Sequence, residues 1–202
     1  PPIPSRSPHP AKHDPPIPPK TPLTAVPGSL CAAVLEVGYL ANATEDRSHF
    51  GAWAIASSPL TLSFDLTNAT LLDRVWPIIS NRALLEVNAA WAGSPGRRLQ
   101  MSPSYQVWTK PLGNDVHALF VLASGADPVT VVVQLWRFLE GVERGDDVTE
   151  VRDLYDTGRR LVAGLVVSNS LLTTDRIAPH DSRFYSVRVS RSVGRRSGRG
   201  KG

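Results

Sequence analysis

Cysteine is almost missing from this chain of 202 residues, in which Cys31 is the single example. One cysteine excludes an internal disulfide and a zinc site built from several cysteines, and it leaves the redox compartment undecided. Because no histidine or basic residue is close to it in sequence, Cys31 is predicted to be a small buried hydrophobe rather than a reactive thiol. The chain also lacks any uninterrupted apolar run of about eighteen residues, so neither a membrane-spanning helix nor a membrane partner is predicted.

Excess positive charge is missing from the body of the chain, although the formal net charge is +4 and the pI is about 9.6. Five of the 22 basic residues lie in the last twelve positions, and without them 17 basic residues face 18 acidic ones. A tail of this kind, without aromatic side chains, supports only weak and salt-sensitive contact with nucleic acid. Nucleic acid is therefore an unlikely partner, and a solvated tail is favoured. The five residues are Arg191, Arg195, Arg196, Arg199 and Lys201.

Both ends of the chain have a biased composition. Residues 1–26 are rich in proline, which fixes φ and removes backbone donors, so they are predicted to form an extended, disordered arm. A spacer is favoured over a docking ligand for an aromatic groove, which stays open as the alternative. The Arg/Gly-rich residues 191–202 have nothing to bury and are also predicted to be disordered. The first residue is Pro rather than Met and no signal segment follows it, which indicates a fragment or a processed form.

Helix and strand signals alternate over residues 27–96. Phe50, Trp53 and Ala54 form an apolar stripe at helical spacing. The order strand, helix, strand, helix predicts that the two strands pair in parallel. The predicted elements are a strand at Leu35–Gly38, a helix at Glu45–Ser57, a strand at Leu60–Phe64 and a helix at Asn68–Ser80.

Over residues 97–190 the pattern changes to short apolar runs separated by turns, which is typical of an antiparallel β-sandwich. The stretch Trp136–Arg144 is the least strand-like and is predicted to be an inserted loop or a helical turn. The predicted strands are Tyr105–Thr109, Val116–Ala123, Val129–Leu135, Val151–Leu154, Leu161–Val167 and Phe184–Val189.

Histidines at metal-ligand spacing are missing. His49, His117 and His180 share no predicted helix and have no cysteine partner, so neither a metal site nor a cofactor is predicted. His180 and Asp181 lie in the turn before the last strand and are interpreted as fixing its backbone. Asp65 follows a strand and precedes a helix, on the side where α/β proteins bind ligands, but helix capping is the favoured interpretation.

Two other groups of side chains are candidates for carbohydrate chemistry. Glu36 and Glu86 lie in apolar stretches of sequence, which would favour the protonated form that a general acid needs. Four tryptophans offer flat faces on which a sugar ring could stack, but Trp53 and Trp76 are predicted to face the core. The four are Trp53, Trp76, Trp91 and Trp108.

Two N-x-Thr sequons make Asn42 and Asn68 candidate glycosylation sites. Short matches of this kind also arise by chance. They fit a secretory route without establishing one.

A series of segments between about residues 27 and 189 occurs in a recognisable order. They are Leu35–Gly38, Thr44–Ile55, Ser58–Leu60, Asp65–Leu66, Trp76–Arg82, Glu86–Asn88, Ala92–Gly93, Gln106–Leu112 and Ile177–Tyr185. In this order they resemble the α-galactosidase (melibiase) family of glycoside hydrolases. Each segment alone is a weak signal, whereas the order over most of the chain is a strong one.

The resemblance implies the last two βα units of a (β/α)8 TIM barrel over residues 27–96, followed by a C-terminal β-sandwich over residues 97–190. Members of the family hydrolyse terminal α-linked galactose with retention, using one aspartate as nucleophile and another as acid. Both aspartates belong to earlier strands, so no catalytic residue is assigned here. Where the family has Asp and Met in contact with the sugar, this chain has Ala33 and Val34, so no substrate-binding residue is assigned either.

The resemblance therefore implies an α-galactosidase-like hydrolase, represented by its C-terminal part and acting on α-galactosides only when joined to the rest of the barrel. Whether this chain is itself an enzyme stays open. A non-catalytic glycan- or protein-binding β-sandwich is the alternative, favoured by the altered segment at Ala33. A homo-oligomer also stays open, and a secreted, vacuolar or lysosome-like location is expected from the family.

Overall fold

A computed structural model of the protein describes residues 35–139, 142, 147–156, 166–168 and 170–190. The chain divides into two units, Pro1–Cys31 and Ala32–Gly202, and all described residues belong to the second. Several predictions fall outside the described residues: the proline-rich arm, Cys31, Ala33, Val34, the basic tail and most of the predicted strand Leu161–Val167.

Three helices come first in the described chain, namely α1 (Ala43–Ala56), α2 (Ala69–Ile79) and α3 (Arg82–Ala89). Each begins after an asparagine whose side-chain oxygen accepts a backbone N–H of the first turn, and these caps are Asn42, Asn68 and Asn81. The predicted helices at Glu45–Ser57 and Asn68–Ser80 are confirmed as α1 and α2. The third helix is not among the predicted elements, because Asn81 starts it directly after α2 ends and the apolar pattern runs on without a break.

In the described residues, eight strands form two antiparallel sheets. A five-stranded sheet has the order β1-β2-β3-β8-β5, and a three-stranded sheet has the order β4-β7-β6. The strands are β1 (Arg97–Met101), β2 (Tyr105–Gly113), β3 (Val116–Ala123), β4 (Val132–Gln134), β5 (Asp147–Asp153), β6 (Val166–Ser168), β7 (Leu171–Thr173) and β8 (Ser182–Ser190).

The β-rich half agrees with prediction in part: β2, β3, β5 and β8 each overlap a predicted strand, although β5 begins at Asp147 and not at Val151. The predicted strand Val129–Leu135 is only partly formed, because Val129 bridges Ile177 and Leu135 already begins a helical turn, α4 (Leu135–Phe138). That turn confirms part of the prediction for Trp136–Arg144. The strands β1 and β7 were not predicted, since one is rich in charged and polar residues and the other has only three residues.

The two predicted parallel strands are reduced to a single bridge. Leu35 pairs with Leu62 in parallel, and the Leu35 N–H donates to the Thr61 carbonyl oxygen at 3.1 Å. Full strands at Leu35–Gly38 and Leu60–Phe64 are therefore wrong for the described residues, although the direction of pairing is right. A parallel pair needs further neighbours to extend, and the described residues supply none on the other side of Leu60–Phe64.

The centre of the five-stranded sheet, at β3, is buried on both faces. Ala118 and Phe120 of β3 pack with the helices, whereas Leu119 and Val121 pack with residues of the smaller sheet. This alternation follows from the two-residue period of a strand and explains why β3 reads as a continuous apolar run. The described part of the chain thus has three layers, with the helices on one face of the large sheet and the small sheet on the other.

Gly51 lets α1 approach the large sheet closely. A Cβ atom at this position would lie 2.5 Å from Tyr155 Oη and 2.7 Å from Phe120 Cε2, closer than real Cβ contacts. The stripe predicted for α1 is confirmed, because Phe50, Trp53 and Ala54 are all buried in the cluster that also contains Phe120.

Lys110 of β2 holds α3 against the same sheet through hydrogen bonds. Its side chain is fully buried, and its ammonium group donates to the carbonyl oxygens of Val87 and Asn88, the latter at 3.0 Å. These carbonyls belong to the last turn of α3, where no helical partner is available. A cation at this end also suits the helix dipole.

Candidate functional site

The carboxyl ends of the paired strand segments are the natural place to look for a site, because parallel α/β folds bind ligands there. Asp46 of α1 is fully buried at this edge and accepts the Gly38 N–H at 2.7 Å. Arg74 of α2 contacts the other Asp46 oxygen at 3.1 Å and donates to the Gly38 carbonyl oxygen at 2.9 Å. One carboxylate oxygen of Asp46 thereby holds the turn before α1 by a hydrogen bond, and the other, which accepts no hydrogen bond, is ion-paired with Arg74.

Asp65 follows the second strand segment and serves its own turn. Its carboxylate accepts the N–H of Thr67 at 2.9 Å and the hydroxyl of Thr67 at 2.7 Å. The hydroxyl hydrogen bond, followed by the backbone one, lowers the pKa of this exposed carboxyl. The expected capping role is wrong, since Asn68 caps α2, and Asp65 instead forms an Asx-turn just before that cap.

His49 ties the first strand segment to α1. Its Nε2 accepts the Glu36 N–H at 3.1 Å, and its ring stacks on Trp53 with the ring centroids 4.3 Å apart. Burial lowers the pKa of His49 against smaller opposing effects of Glu36 and Asp46. The neutral ring is the form that accepts this hydrogen bond. His49 therefore has a structural role, which is to join the first strand segment to α1.

The two candidate general acids do not lie in apolar surroundings. Glu36 and Glu86 are both exposed, and Glu86 pairs with Arg82 one turn away at 2.9 Å. The prediction is wrong because neighbours in sequence point to the opposite side of a strand or helix: Leu35, Val37 and Val87 are buried beside them.

A second cluster of polar side chains, here called the Arg47 junction, joins α1 to β8. Arg47 donates to Asp181 at 2.6 Å, and the second oxygen of Asp181 accepts from Arg183 at 2.9 Å. Arg183 also holds Asp175 through two parallel hydrogen bonds of 2.9 and 2.7 Å. Burial raises the pKa of Asp181, but the hydrogen bonds from Arg47, the Ser182 N–H and Arg183 outweigh it, so the net shift is downward.

Hydroxyl groups continue the Arg47 junction toward its buried side. Tyr155 Oη lies 2.7 Å from Ser182 Oγ, which lies 2.8 Å from Ser48 Oγ. The Arg47 guanidinium lies over the Tyr155 ring, 4.9 Å from its centroid. Burial raises the pKa of the Tyr155 hydroxyl, which keeps it protonated. The four charged groups pair among themselves: Arg47 with Asp181, and Arg183 with both Asp175 and Asp181. The junction therefore stabilises the contact between α1 and β8.

The remaining candidates do not converge. His117 is buried on β3. His180 has φ near +60° in the turn that precedes β8, where the Asp181 carboxylate accepts the Ser182 N–H at 2.7 Å. Among the residues that the structure describes, no group of three or more His, Cys, Asp or Glu side chains could hold a metal ion. No described helix has the length and apolar character needed to cross a membrane.

The tryptophans divide between core and surface. Trp53 is buried, as predicted, but Trp76 is 58 % exposed, so the prediction that it faces the core is wrong. Val75 and Ile78 take the buried side of α2 and turn Trp76 away. Trp91 is 68 % exposed, and Trp108 is partly buried against the helix-side core. Among the described residues, none of these four rings stacks on another of the four.

The chain is similar in sequence and in fold to known proteins. The chain is 31 % identical over 133 residues to the α-galactosidase of Cyamopsis tetragonoloba, a match that covers 65 % of this chain and 31 % of that protein. It is 28 % identical over 153 residues to an α-galactosidase of Oryza sativa subsp. japonica, covering 75 % and 34 %. The crystal structure of α-galactosidase I from Mortierella vinacea superposes with a TM-score of 0.66 at 28 % identity, covering 76 % of this chain and 38 % of that one.

The chain is a relative of the α-galactosidase (melibiase) family. The predicted resemblance is thus confirmed, although no family model matches the chain. The chain spans about a third of the length of the relatives that it matches. As an α-galactosidase relative, it has the helices and antiparallel sheets of that fold over about three quarters of its length.

Three charged residues that make polar contacts at the strand ends and between the helices and the large sheet were not identified from the sequence, namely Asp46, Arg47 and Lys110. Asp46 and Arg47 lie near the start of the predicted helix Glu45–Ser57, and Lys110 directly follows the predicted strand Tyr105–Thr109, but none of the three was among the candidate site residues. Their positions could have indicated burial, because Asp46 and Arg47 lie in a helix with an apolar stripe and Lys110 lies in a strand of the large sheet. Charged residues at such positions are rarely buried without partners.

Proposed function

We propose that this chain is the C-terminal part of an α-galactosidase-like glycoside hydrolase and that it supports hydrolysis of terminal α-D-galactosyl residues only when joined to the rest of the barrel. One observation carries the proposal. The segment at Leu35 pairs in parallel with the segment at Leu62, α1 lies between the two in the chain, and α2 and the antiparallel sheets follow. The similarity to the M. vinacea enzyme over 76 % of this chain supports the proposal.

In this proposal, residues 27–96 are the last two βα units of a (β/α)8 barrel and residues 97–190 are the sandwich that follows it. A βαβ crossover with parallel strands is the repeating unit of such a barrel. Two units cannot close a barrel, which accords with the single bridge between Leu35 and Leu62.

The proposed reaction needs two carboxyl groups roughly 5 Å apart across the glycosidic bond. The described strand ends offer Asp46 and Asp65, and both are engaged in turns, Asp46 with Gly38 and Arg74 and Asp65 with Thr67. Neither is placed as a nucleophile or a proton donor. The proposal therefore assigns both catalytic aspartates to the part of the barrel that this chain does not contain, with a retaining mechanism.

The contribution of the described residues to that reaction is positional. Asp46, Arg74 and His49 hold the turn at the carboxyl end of the Leu35 segment, directly after the position where the family places its sugar-contacting Asp and Met. With Ala33 and Val34 there, hydroxyl partners are lost, which weakens galactoside binding by about 5- to 150-fold per missing partner.

The test is hydrolysis of a chromogenic α-galactoside by this chain alone and by a fusion of the chain to the N-terminal part of the M. vinacea enzyme. We expect no turnover by the chain alone and weak turnover by the fusion. Replacing Ala33→Asp and Val34→Met in the fusion is expected to raise kcat/KM by at least about tenfold. Turnover by the chain alone, or none by the restored fusion, would contradict the proposal.

A secreted, vacuolar or lysosome-like location belongs to the same proposal. Asn42 and Asn68 are both exposed, so glycans could be attached without displacing packed side chains. The cap at each asparagine uses the side-chain oxygen, whereas the glycan bonds to the nitrogen, so capping and glycosylation are compatible.

A further inference from the structure

A cavity of about 320 Å³ is lined by residues of α1, α2 and α3. Its charged part is formed by Arg47 of α1 and Arg74 of α2, and its apolar part includes Pro77, Ile78 and Leu84. At about 30 Å³ for each water molecule, the volume equals that of roughly ten waters, which places it at the small end of the range for ligand pockets. We call it the Arg47–Arg74 cavity.

Both arginines keep hydrogen-bonding capacity that their protein partners do not use. Arg47 donates through Nη2 to Asp181, and Arg74 uses its own Nη2 for Asp46 and for the carbonyl oxygen of Gly38. In the described part of the chain, the buried Nε–H of each arginine has no acceptor. About a third of each side chain is exposed, 36 % for Arg47 and 35 % for Arg74. Because buried N–H groups without a partner are rare in proteins, these two arginines are expected to serve an acceptor from outside the chain.

The charges around the cavity favour an anion as that acceptor. Of the described residues that line the cavity, none is acidic. Asp46 is fully buried behind its pair with Arg74, and Asp181 lines a neighbouring cavity instead. The wall also includes Ala43, in the first turn of α1, where the helix dipole places partial positive charge.

The apolar part of the wall limits which anion fits. Ile78 and Leu84 are buried, and Pro77 and the ring of Tyr155 lie in the same wall. A fully hydrated inorganic anion would keep this surface in contact with water, whereas an anion with a hydrocarbon body would cover it. The planar guanidinium group matches the two oxygens of a carboxylate.

We propose that the Arg47–Arg74 cavity is a binding site for a small organic carboxylate with an apolar body. The carboxylate accepts hydrogen bonds from the two guanidinium groups, and the hydrocarbon part packs on Pro77 and Ile78. The proposal does not rest on the proposed function, because it uses only the contacts of the residues that line this cavity.

A neutral sugar fits this cavity less well. Sugar hydroxyls donate as well as accept, so a sugar site needs acceptors beside its donors. The described carboxylates that could accept line the neighbouring cavity, which shares Arg47 and Tyr155 with this one. They are Asp153, Asp156, Asp175 and Asp181.

The experiment titrates benzoate into the full chain by isothermal titration calorimetry, with benzamide as the uncharged counterpart. Benzoate is expected to bind at least about tenfold more tightly, because hydrogen bonds to a charged group are the stronger ones. Ala43→Leu places a larger side chain in the wall of the cavity without altering either arginine and is expected to weaken benzoate binding at least about tenfold. Ala69→Leu is the matched control, because Ala69 is the first residue of α2, follows an asparagine cap as Ala43 does and is likewise exposed. It should leave benzoate binding unchanged.

Arg74→Gln removes one of the two cations and should weaken the binding of benzoate more than that of benzamide. Because this change also leaves Asp46 without its cation, a thermal melt establishes that the variant is folded, and Ala43→Leu decides the question if it is not. Absence of benzoate binding at millimolar concentration, equal binding of benzoate and benzamide, or an equal loss in the two alanine variants would overturn the proposal. So would binding of galactose in place of benzoate, which would make the cavity a sugar site.

Discussion

Replacement of Lys110 by Met removes the only cation that holds the last turn of α3 in the described structure, while keeping an unbranched side chain of similar length. Two hydrogen bonds from the ammonium group are lost, to the carbonyl oxygens of Val87 and Asn88. Hydrogen bonds that involve a charged group contribute about 1.5–3 kcal/mol each, or about 3–6 kcal/mol together. Removing the charge also removes the cost of burying it, which offsets part of the loss.

The expected net effect of Lys110→Met is a loss of about 2–4 kcal/mol of unfolding free energy. For a chain of this size that corresponds to a fall in Tm of roughly 5–15 °C. Urea denaturation followed by circular dichroism measures the free energy, and a scanning thermal melt measures Tm. The control is Arg82→Met on the same helix, which removes an exposed cation paired with Glu86 and should cost less than about 0.5 kcal/mol.

The pH dependence gives a second readout for Lys110. Burial lowers the pKa of Lys110 below the ordinary value of 10.5. The unfolded chain therefore binds more protons between the two pKa values, and stability gains from this residue as pH rises toward 10.5. The difference in stability between the unmodified chain and Lys110→Met should grow over that window. Equal stability of the two proteins, or a difference independent of alkaline pH, would refute the reasoning.

Three further expectations concern other parts of the molecule. Because hydrogen bonds lower the pKa of Asp181, its contribution to stability should be complete above about pH 4 and be lost as pH falls through the folded pKa; acid melts of Asp181→Asn should show a smaller acid loss than the unmodified chain. Expressed through a secretory host, the chain should lose one glycan with Asn42→Asp and one with Asn68→Asp, by gel shift after glycosidase treatment, while helix content is kept. Hydrogen exchange should be faster over Leu60–Phe64 than over Val116–Ala123, because the first segment has one bridge and the second is paired on both sides; the reverse order would contradict this.

The sequence predicted elements best where local signals and tertiary packing agree. α1 begins with an Asn cap and carries an apolar stripe at helical spacing, and β3 is a continuous apolar run, so both were predicted to within two residues. The order strand, helix, strand, helix added the direction of pairing between Leu35 and Leu62. That pairing could not come from periodicity, since two short apolar segments fit either direction.

Side-chain environment was harder to predict than secondary structure. Trp76 was expected in the core because tryptophan is apolar, but Val75 and Ile78 already fill the inner side of α2. Glu36 was expected to be shielded by Leu35 and Val37, although alternation in an extended segment sends it to the opposite side. The burial of Lys110 was not predicted, because a lysine is almost never fully buried. Only the nearby end of α3 makes its burial favourable. Each error arises from a partner element that is remote in sequence.

The packing of α1 explains how the helix layer is held in the described structure. Phe50 and Trp53 share one hydrophobic cluster with Ala118, Phe120 and Phe184 of the large sheet. Gly51 allows this contact to be close, and the Arg47 junction and Lys110 anchor two of the helices to that sheet. The large sheet therefore buries one side of the helix layer, whereas Trp76 of α2 keeps 58 % of its surface exposed.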